Sequence, residues 1–347
     1  MPADIDLADY DYPLPPESIA QRPTPERDGA RLLILDRAAG RRTHGRILDL
    51  ANWLRSGDLL VVNSTRVLPA RLRGRKDSGG AAEALILGPV AQASGRFRAL
   101  VKTRGRLRNG LVFRFERGER GLDAELVAYA DDGEVTLAFE PGADPYAVGE
   151  MPLPPYIRRA EAEPEDSERY QTTYARVAGS VAAPTAGLHL SERLLAELDD
   201  RGVERAEVVL HVGVGTFRPL RPEDLARGRL HSEFIDLPAA TAEQIAATRA
   251  RGGRVVAVGT TSARVLEACA SGDGRVRAMR GDTDLFLAPG ATFRVVDGLL
   301  SNFHLPRSSL LLLVAAFAGR AAVLDAYAEA VRSGYRFYSY GDAMLIV

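Results

Sequence analysis

The sequence predicts an α/β fold: a largely parallel sheet flanked by helices, with a small antiparallel β-barrel inserted into it. Three observations predict this. Strand-like and helix-like segments alternate over most of the chain, as in βαβ units. Between residues 68 and 139 the helical pattern disappears. Short apolar runs recur there at close spacing, separated by Gly, Asp and Asn. Charge divides along the same boundary: residues 66–120 carry 14 Arg/Lys against 4 Asp/Glu, a local net of +10, whereas the whole chain sums to −1, leaving −11 elsewhere.

The elements follow in chain order. Residues 58–63 read as a strand. The inserted module is expected over 67–150, with strands at 68–75, 85–87, 97–101, 111–115, 122–129 and 135–139, and the body over 1–66 and 151–347. Residues 151–155 (Met-Pro-Leu-Pro-Pro) read as a rigid linker, and the polar stretch 161–168 as a mobile loop. A helix over 192–200 has Ser191 to cap it and Gly202 to stop it. Residues 208–212 form a strand. Thr241 to Gln244 has capping-box spacing and opens a helix to Arg251. Residues 254–258 read as a strand, 263–270 as a helix, 310–317 as a strand and 321–332 as a helix.

Composition excludes several classes. The single cysteine, Cys269, rules out an intrachain disulfide and a Cys-based zinc site. The longest apolar run, 310–318, is too short to span a bilayer, and residues 1–12 are acidic, unlike a signal peptide. A soluble, cytoplasmic protein with no membrane association is expected. A basic module on an acidic body is the footprint of a polyanion partner; a solvated basic face is the alternative. The only lysines are Lys76 and Lys102, so the chain favours arginine, but that bias does not explain the missing acids.

The chemistry-bearing residues lie in short loops. Ala182-Ala183-Pro184-Thr185-Ala186-Gly187-Leu188-His189 delivers one of five histidines to the start of a helix. Imidazole is the side chain best matched to proton transfer near neutral pH. His211 follows a strand and heads a loop containing Gly213 and Gly215. That G-x-G lets backbone approach a ligand, but it lacks the third glycine of a dinucleotide fingerprint and equally fits a tight turn. Val258-Gly259-Thr260-Thr261-Ser262 joins a strand to a helix, which makes it either an anion site or an ordinary N-cap. Arg264 and Glu267 follow one turn along. His231-Ser232-Glu233, Asn302-Phe303-His304 and Asp282-Thr283-Asp284 place further polar groups at segment boundaries. The histidine intervals match no zinc motif, so no metal site is expected. The chain has no G-x-S-x-G and no Walker loop.

In their joint order these segments resemble the S-adenosylmethionine:tRNA ribosyltransferase-isomerases of queuosine biosynthesis. The resemblance is carried by residues 12–21, 31–33, 57–63, 65–67, 69–72, 151–157, 169–172, 182–189, 211–217, 231–233, 258–262, 302–306 and 340–344. It departs at Ala81, where Lys is usual after Ser-Gly-Gly, and at Ser64, Leu190 and Ser309. It implies transfer and isomerisation of the ribosyl group of S-adenosylmethionine onto 7-aminomethyl-7-deazaguanine at a tRNA wobble position, giving epoxyqueuosine-tRNA, adenine and methionine. S-adenosylmethionine is then a consumed donor and no other cofactor is needed. The partners are that donor and the precursor tRNA, and a monomer is expected.

Loop placement assigns the roles. His189 and His211 are the acid/base candidates. Thr260, Thr261, Ser262 and Arg264 are candidates for the methionine carboxylate, and Glu233 and Asp284 for the ammonium or ribose hydroxyls. Thr185, Gly213, Gly215 and His304 complete the substrate site. Arg66, Arg71, Arg75 and Lys76 are expected to contact tRNA. Two rivals remain: a tRNA methyltransferase, which would release S-adenosylhomocysteine, and a non-catalytic RNA-binding protein, which would not consume the donor.

Overall fold

The computed structural model describes residues 5–130, 133–159, 162–213, 215 and 220–347. The strands in chain order are β1 Arg31–Asp36, β2 Arg41–Arg46, β3 Leu59–Asn63, β4 Thr65–Val67, β5 Arg71–Lys76, β6 Ala81–Pro89, β7 Arg96–Thr103, β8 Val112–Arg117, β9 Arg120–Tyr129, β10 Glu134–Phe139, β11 Val177–Ser180, β12 Glu204–Leu210, β13 Arg229–Leu237, β14 Val255–Val258, β15 Met279–Leu285, β16 Gly298–Asn302 and β17 Ala343–Ile346. The helices are α1 Asp166–Arg169, α2 Glu192–Asp200, α3 Pro222–Arg227, α4 Ala239–Ala250, α5 Gly259–Ala268, α6 Ser309–Ala318 and α7 Arg320–Arg332.

The body is a mixed sheet in the order β15-β13-β12-β3-β14-β16-β17-β1-β2. Its centre, β12-β3-β14-β16, is parallel, while β13, β15 and β2 join antiparallel at the rims and β17 antiparallel to β16. Successive side chains of a strand face opposite ways, so β3 feeds two cores. Leu59 and Val61 pack with α5, α6 and α7, and Leu60 and Val62 with α2 and the 3-10 turn Ile47–Asn52. Such two-sided burial needs the continuous apolar run that β3 has.

The insertion is a closed antiparallel barrel, β10-β7-β6-β5-β8-β9. Its core holds Leu72, Ile86, Phe113, Phe115, Leu126, Leu137 and Phe139. Closure brings β5 hard against β8: a Cβ at Gly74 would lie 2.0 Å from the Arg114 carbonyl oxygen, so only glycine fits. The six sequence-predicted barrel segments each fall on one of these strands.

In the body, α2 has the expected bounds, with the Ser191 hydroxyl accepting from Leu194 N–H at 3.2 Å. Three expectations fail for physical reasons. Residues 310–317 are helical, not a strand. An apolar run of that length does not distinguish the two, and here Leu and Ala, which lack branching at Cβ, favour helix while Ser308 caps it, accepting from Leu311 N–H at 3.2 Å. Thr241 does not cap α4, which starts at Ala239; its hydroxyl donates to the Glu207 carbonyl at 2.7 Å. The stretch expected to be a mobile loop is anchored through α1. Buried Asp166 accepts from Arg159 Nη2 and the Tyr340 hydroxyl, both at 2.7 Å; Glu161 lies outside the described residues. Among the described residues no single helix is long and apolar enough to cross a membrane.

Candidate active site

The parallel strands β12, β3, β14 and β16 all end on one edge of the sheet, where α/β folds bind ligands. A cleft opens there. Its floor is the 182–186 loop and the first turn of α5. Ser301 and Asn302 at the end of β16 line it, with His304 just beyond them, and so do Tyr156, Tyr170 and Tyr338. The chain leaves for the barrel from the end of β3, so the barrel stands over this same edge.

The polar end of the cleft is α5. Gly259 takes φ +86° at its start, and Val258 provides no side-chain cap, so the first-turn N–H groups carry the positive end of the helix dipole unscreened. Thr260, Thr261 and Arg264 line the cleft beside it. Arg264 is buried. It donates to the Leu285 carbonyl at 3.2 Å and to Glu233, while its Nη2 and the Thr261 hydroxyl are buried with no partner among the described residues. An unpaired guanidinium nitrogen, an unpaired hydroxyl and an open helix N-terminus are the donor types that bind anions.

Glu233 is the partition behind Arg264. Its Oε1 accepts from Gly213 N–H at 2.9 Å, and His231 Nε2 lies 3.2 Å from the same oxygen, while Arg264 holds Oε2. Burial alone would raise its pKa; His231, Arg264 and the Gly213 N–H outweigh burial and hold it at about 2. Beyond this pair lies a second, polar cleft between body and barrel. His211, Gly213, His231 and Asp282 line it from the body, and Leu87, Arg98 and Glu134 from the barrel. His211 Nδ1 is 2.8 Å from the Thr65 hydroxyl oxygen, and its ring stacks on Phe234. Burial lowers its pKa. The ring lies directly over Gly179, whose φ is +146° and where a Cβ would approach Nε2 to 2.7 Å.

The two leading histidines therefore differ. His211 faces a cleft, but His189 is buried and absent from the cleft walls. Asn302 donates from Nδ2 to His189 Nε2 at 3.1 Å, and Asn302 Oδ1 accepts from Thr185 at 2.8 Å. Desolvation first, then the Arg336 charge, lower the His189 pKa to about 4, against a backbone hydrogen bond with Arg27. Both ring nitrogens of His189 are thus engaged, one by Asn302 and the other by the Arg27 backbone. His304 lines the cleft, held by Ser301 Oγ at 2.8 Å, and burial lowers its pKa to about 3.

Several expected site residues lie elsewhere. The Ser262 hydroxyl donates to the Val258 carbonyl at 2.8 Å, inside its own helix. Asp284 pairs with Arg229 at 3.1 Å, in a separate hollow beside α3. Gly215 supports the His231 ring, and Val214, Thr216 and Phe217 lie outside the described residues. On the barrel, Arg71 is engaged by Glu83 at 2.8 Å and Lys76 by the Arg104 carbonyl at 2.6 Å. Arg66 reaches the Ala175 carbonyl at 3.5 Å. Arg75 stays exposed, and so do Arg104, Arg106 and Arg108; among the described residues these four have no acceptor. Sequence reasoning misses the last three, although their alternation is visible in the chain. It also misses Asn302 and the three cleft tyrosines, all inside or beside the recognised segments.

The family described as "Queuosine biosynthesis protein" matches residues 7–346. This chain belongs to that family. It is 50% identical over 345 residues to the S-adenosylmethionine:tRNA ribosyltransferase-isomerase of Pelobacter propionicus, covering 98% of this chain and 99% of that one. The protein of the same name from Acidithiobacillus ferrooxidans is 52% identical, with 97% of each covered. Among solved structures, the S-adenosylmethionine tRNA ribosyltransferase of Thermotoga maritima is 37% identical, with a TM-score of 0.57 over 98% of this chain and 100% of that one.

Proposed function

We propose that this protein is an enzyme that transfers and isomerises the ribosyl group of S-adenosylmethionine onto 7-aminomethyl-7-deazaguanine at the tRNA wobble position. Epoxyqueuosine-tRNA forms, and adenine and methionine leave. The observation that carries this reading is the 50% identity that runs through 98% of the chain to a relative bearing that enzyme's name. The geometry supports a division of the site. The tyrosine-lined cleft takes S-adenosylmethionine, with its carboxylate on Thr260, Thr261, Arg264 and the α5 N-terminus. Its sulfonium and adenine lie among Tyr156, Tyr170 and Tyr338, whose ring faces attract cations and stack on planar groups. The polar body–barrel cleft takes the wobble base.

The sulfonium acidifies the neighbouring C5′ proton, so a neutral imidazole suffices as base. Val212 lines both clefts, so its neighbour His211 stands where the ribosyl group passes between them, and its lowered pKa keeps it neutral at pH 7. The Thr65 hydroxyl reaches the Val177 carbonyl at 3.5 Å. When it donates there, its oxygen accepts from His211 Nδ1–H, and Nε2 keeps its lone pair. Glu233, an anion held in place, orients Arg264 and balances cationic groups arriving from either cleft. His189 acts through Asn302 and Thr185. On the barrel, Arg75, Arg104, Arg106 and Arg108 are the phosphate contacts, with Arg66 nearer the body. The crossovers near residues 67 and 150 are the domain boundaries.

Incubating the protein with S-adenosylmethionine and precursor tRNA, and identifying the small products, tests the reading. Adenine and methionine support it. S-adenosylhomocysteine would make the chain a methyltransferase, and unconsumed donor a binding protein.

A further inference from the structure

Two glutamines in the recognised segments, Gln21 and Gln171, have no part in the chemistry above. Each grips one of the two chain crossovers that join barrel to body. Gln171 follows α1, and its own carbonyl accepts from body residue Arg27 at 2.8 Å. Its side chain is buried and meets Val67, the last residue of β4 before the barrel, at both peptide groups. Oε1 accepts from Val67 N–H at 3.1 Å and Nε2 donates to the Val67 carbonyl at 2.7 Å. The amide thus takes the place of a strand on the edge of β4 that β11 leaves open. On the return crossover, Gln21 Nε2 donates to the Tyr156 carbonyl at 3.0 Å and Oε1 accepts from Arg158 N–H at 2.7 Å. The space between is filled by an apolar cluster drawn from both crossovers and both clamps: Val67, Met151, Ile157, Ala20 and Tyr170.

We propose that Gln171 and Gln21 are positioning residues. Gln171 fixes the pose of the barrel over the sheet edge, and with it the delivery of the RNA. Gln21 fixes the return crossover that carries Tyr156 into the tyrosine-lined cleft. The inference rests on the preceding assignment of donor to cleft and RNA to barrel. A flexible linker would let the barrel and its bound RNA wander; two bidentate amide–peptide contacts remove that freedom before the substrate arrives.

The test is steady-state kinetics with both substrates, alongside calorimetry with S-adenosylmethionine. For Gln171→Ala, KM for tRNA should rise on the order of tenfold, with donor affinity held within about twofold. For Gln21→Ala, donor affinity should fall by the larger factor. Gln171→Glu adds a readout that loss of folding would not give. Its carboxylate still accepts from Val67 N–H but faces the Val67 carbonyl as an anion. Once protonated, it can donate to that carbonyl. Its defect for tRNA should therefore shrink as pH falls through the carboxyl's raised pKa, with no matching change in the parent protein. Donor and tRNA parameters moving in equal proportion in both alanine variants, or a Gln171→Glu defect insensitive to pH, would overturn the clamp. Product identification with the parent protein decides the underlying reading separately.

Discussion

Four arginines of the body and four of the barrel differ in what holds them. In the body, Arg27 donates to three backbone carbonyls, Arg193 grips Asp28, Arg254 grips Asp58 and Arg264 grips Glu233. On the barrel, Arg71 and Arg73 meet Glu150 and Arg117 the Gly149 carbonyl near the crossovers, and Arg114 pairs with Glu116 and Asp123. Arg75, Arg104, Arg106 and Arg108 extend into solvent. A charge fixed by buried partners shapes a receptor for one small molecule. A charge left free on a long side chain can follow a polyanion of variable contour. On the proposed reading, the contrast separates a site built for geometry from a surface built for attraction.

The largest effect should fall within the body. His211→Ala should lower the single-turnover rate of adenine release by about 10²–10⁴-fold, the usual contribution of a positioned base, and leave donor affinity intact. His189→Ala should act more weakly and through binding, because the His189 ring bonds to Asn302 and the Arg27 backbone and does not line the cleft. Equal losses of the chemical step in both would erase the distinction between them.

Next comes the buried pair. Glu233→Gln leaves the Arg264 charge uncompensated and should cost about 3–5 kcal/mol of stability in urea unfolding. Glu233 has a folded pKa of about 2, below its unfolded value, so its contribution is complete above the ordinary carboxylate range and is lost as pH falls through 2. The buried histidines act at higher pH. The folded state holds His189 at about 4 and His304 at about 3, against 6.5 when unfolded. Below 6.5 the unfolded chain binds more protons, so stability should decline as pH drops from 6.5 toward 3. A thermal midpoint that stays flat across that range would contradict both burials.

The barrel effect is the smallest per residue and the most dependent on salt. Replacing Arg104, Arg106 and Arg108 together with Ala should weaken tRNA binding and reduce the salt slope by about 0.9 for each phosphate no longer neutralised. An unchanged slope would move the RNA elsewhere.

Much of the fold is legible in the residue pattern. The barrel strands announce themselves through alternation and turn residues, and α2 through Ser191 and Gly202. The helix α6 does not, because a short run buried on every side has no face to give it a period. The cleft motifs are legible as loops, but their roles depend on partners far away in sequence. Nothing near His189 reveals that Asn302 bonds to its ring nitrogen, and nothing near Arg264 reveals that Glu233 meets its guanidinium. The arginine counts reveal the barrel's sign. Which arginines are free depends on where Glu83 and Glu150 fall.

The division between body and barrel is tested most directly by calorimetric titration of S-adenosylmethionine into two variants, Arg264→Ala and the Arg104/Arg106/Arg108 triple alanine. The first should lose affinity by at least about tenfold, a charged hydrogen bond's worth, while the second should bind as the parent does. Weaker donor binding in the barrel variant, or undiminished binding in Arg264→Ala, would contradict the division.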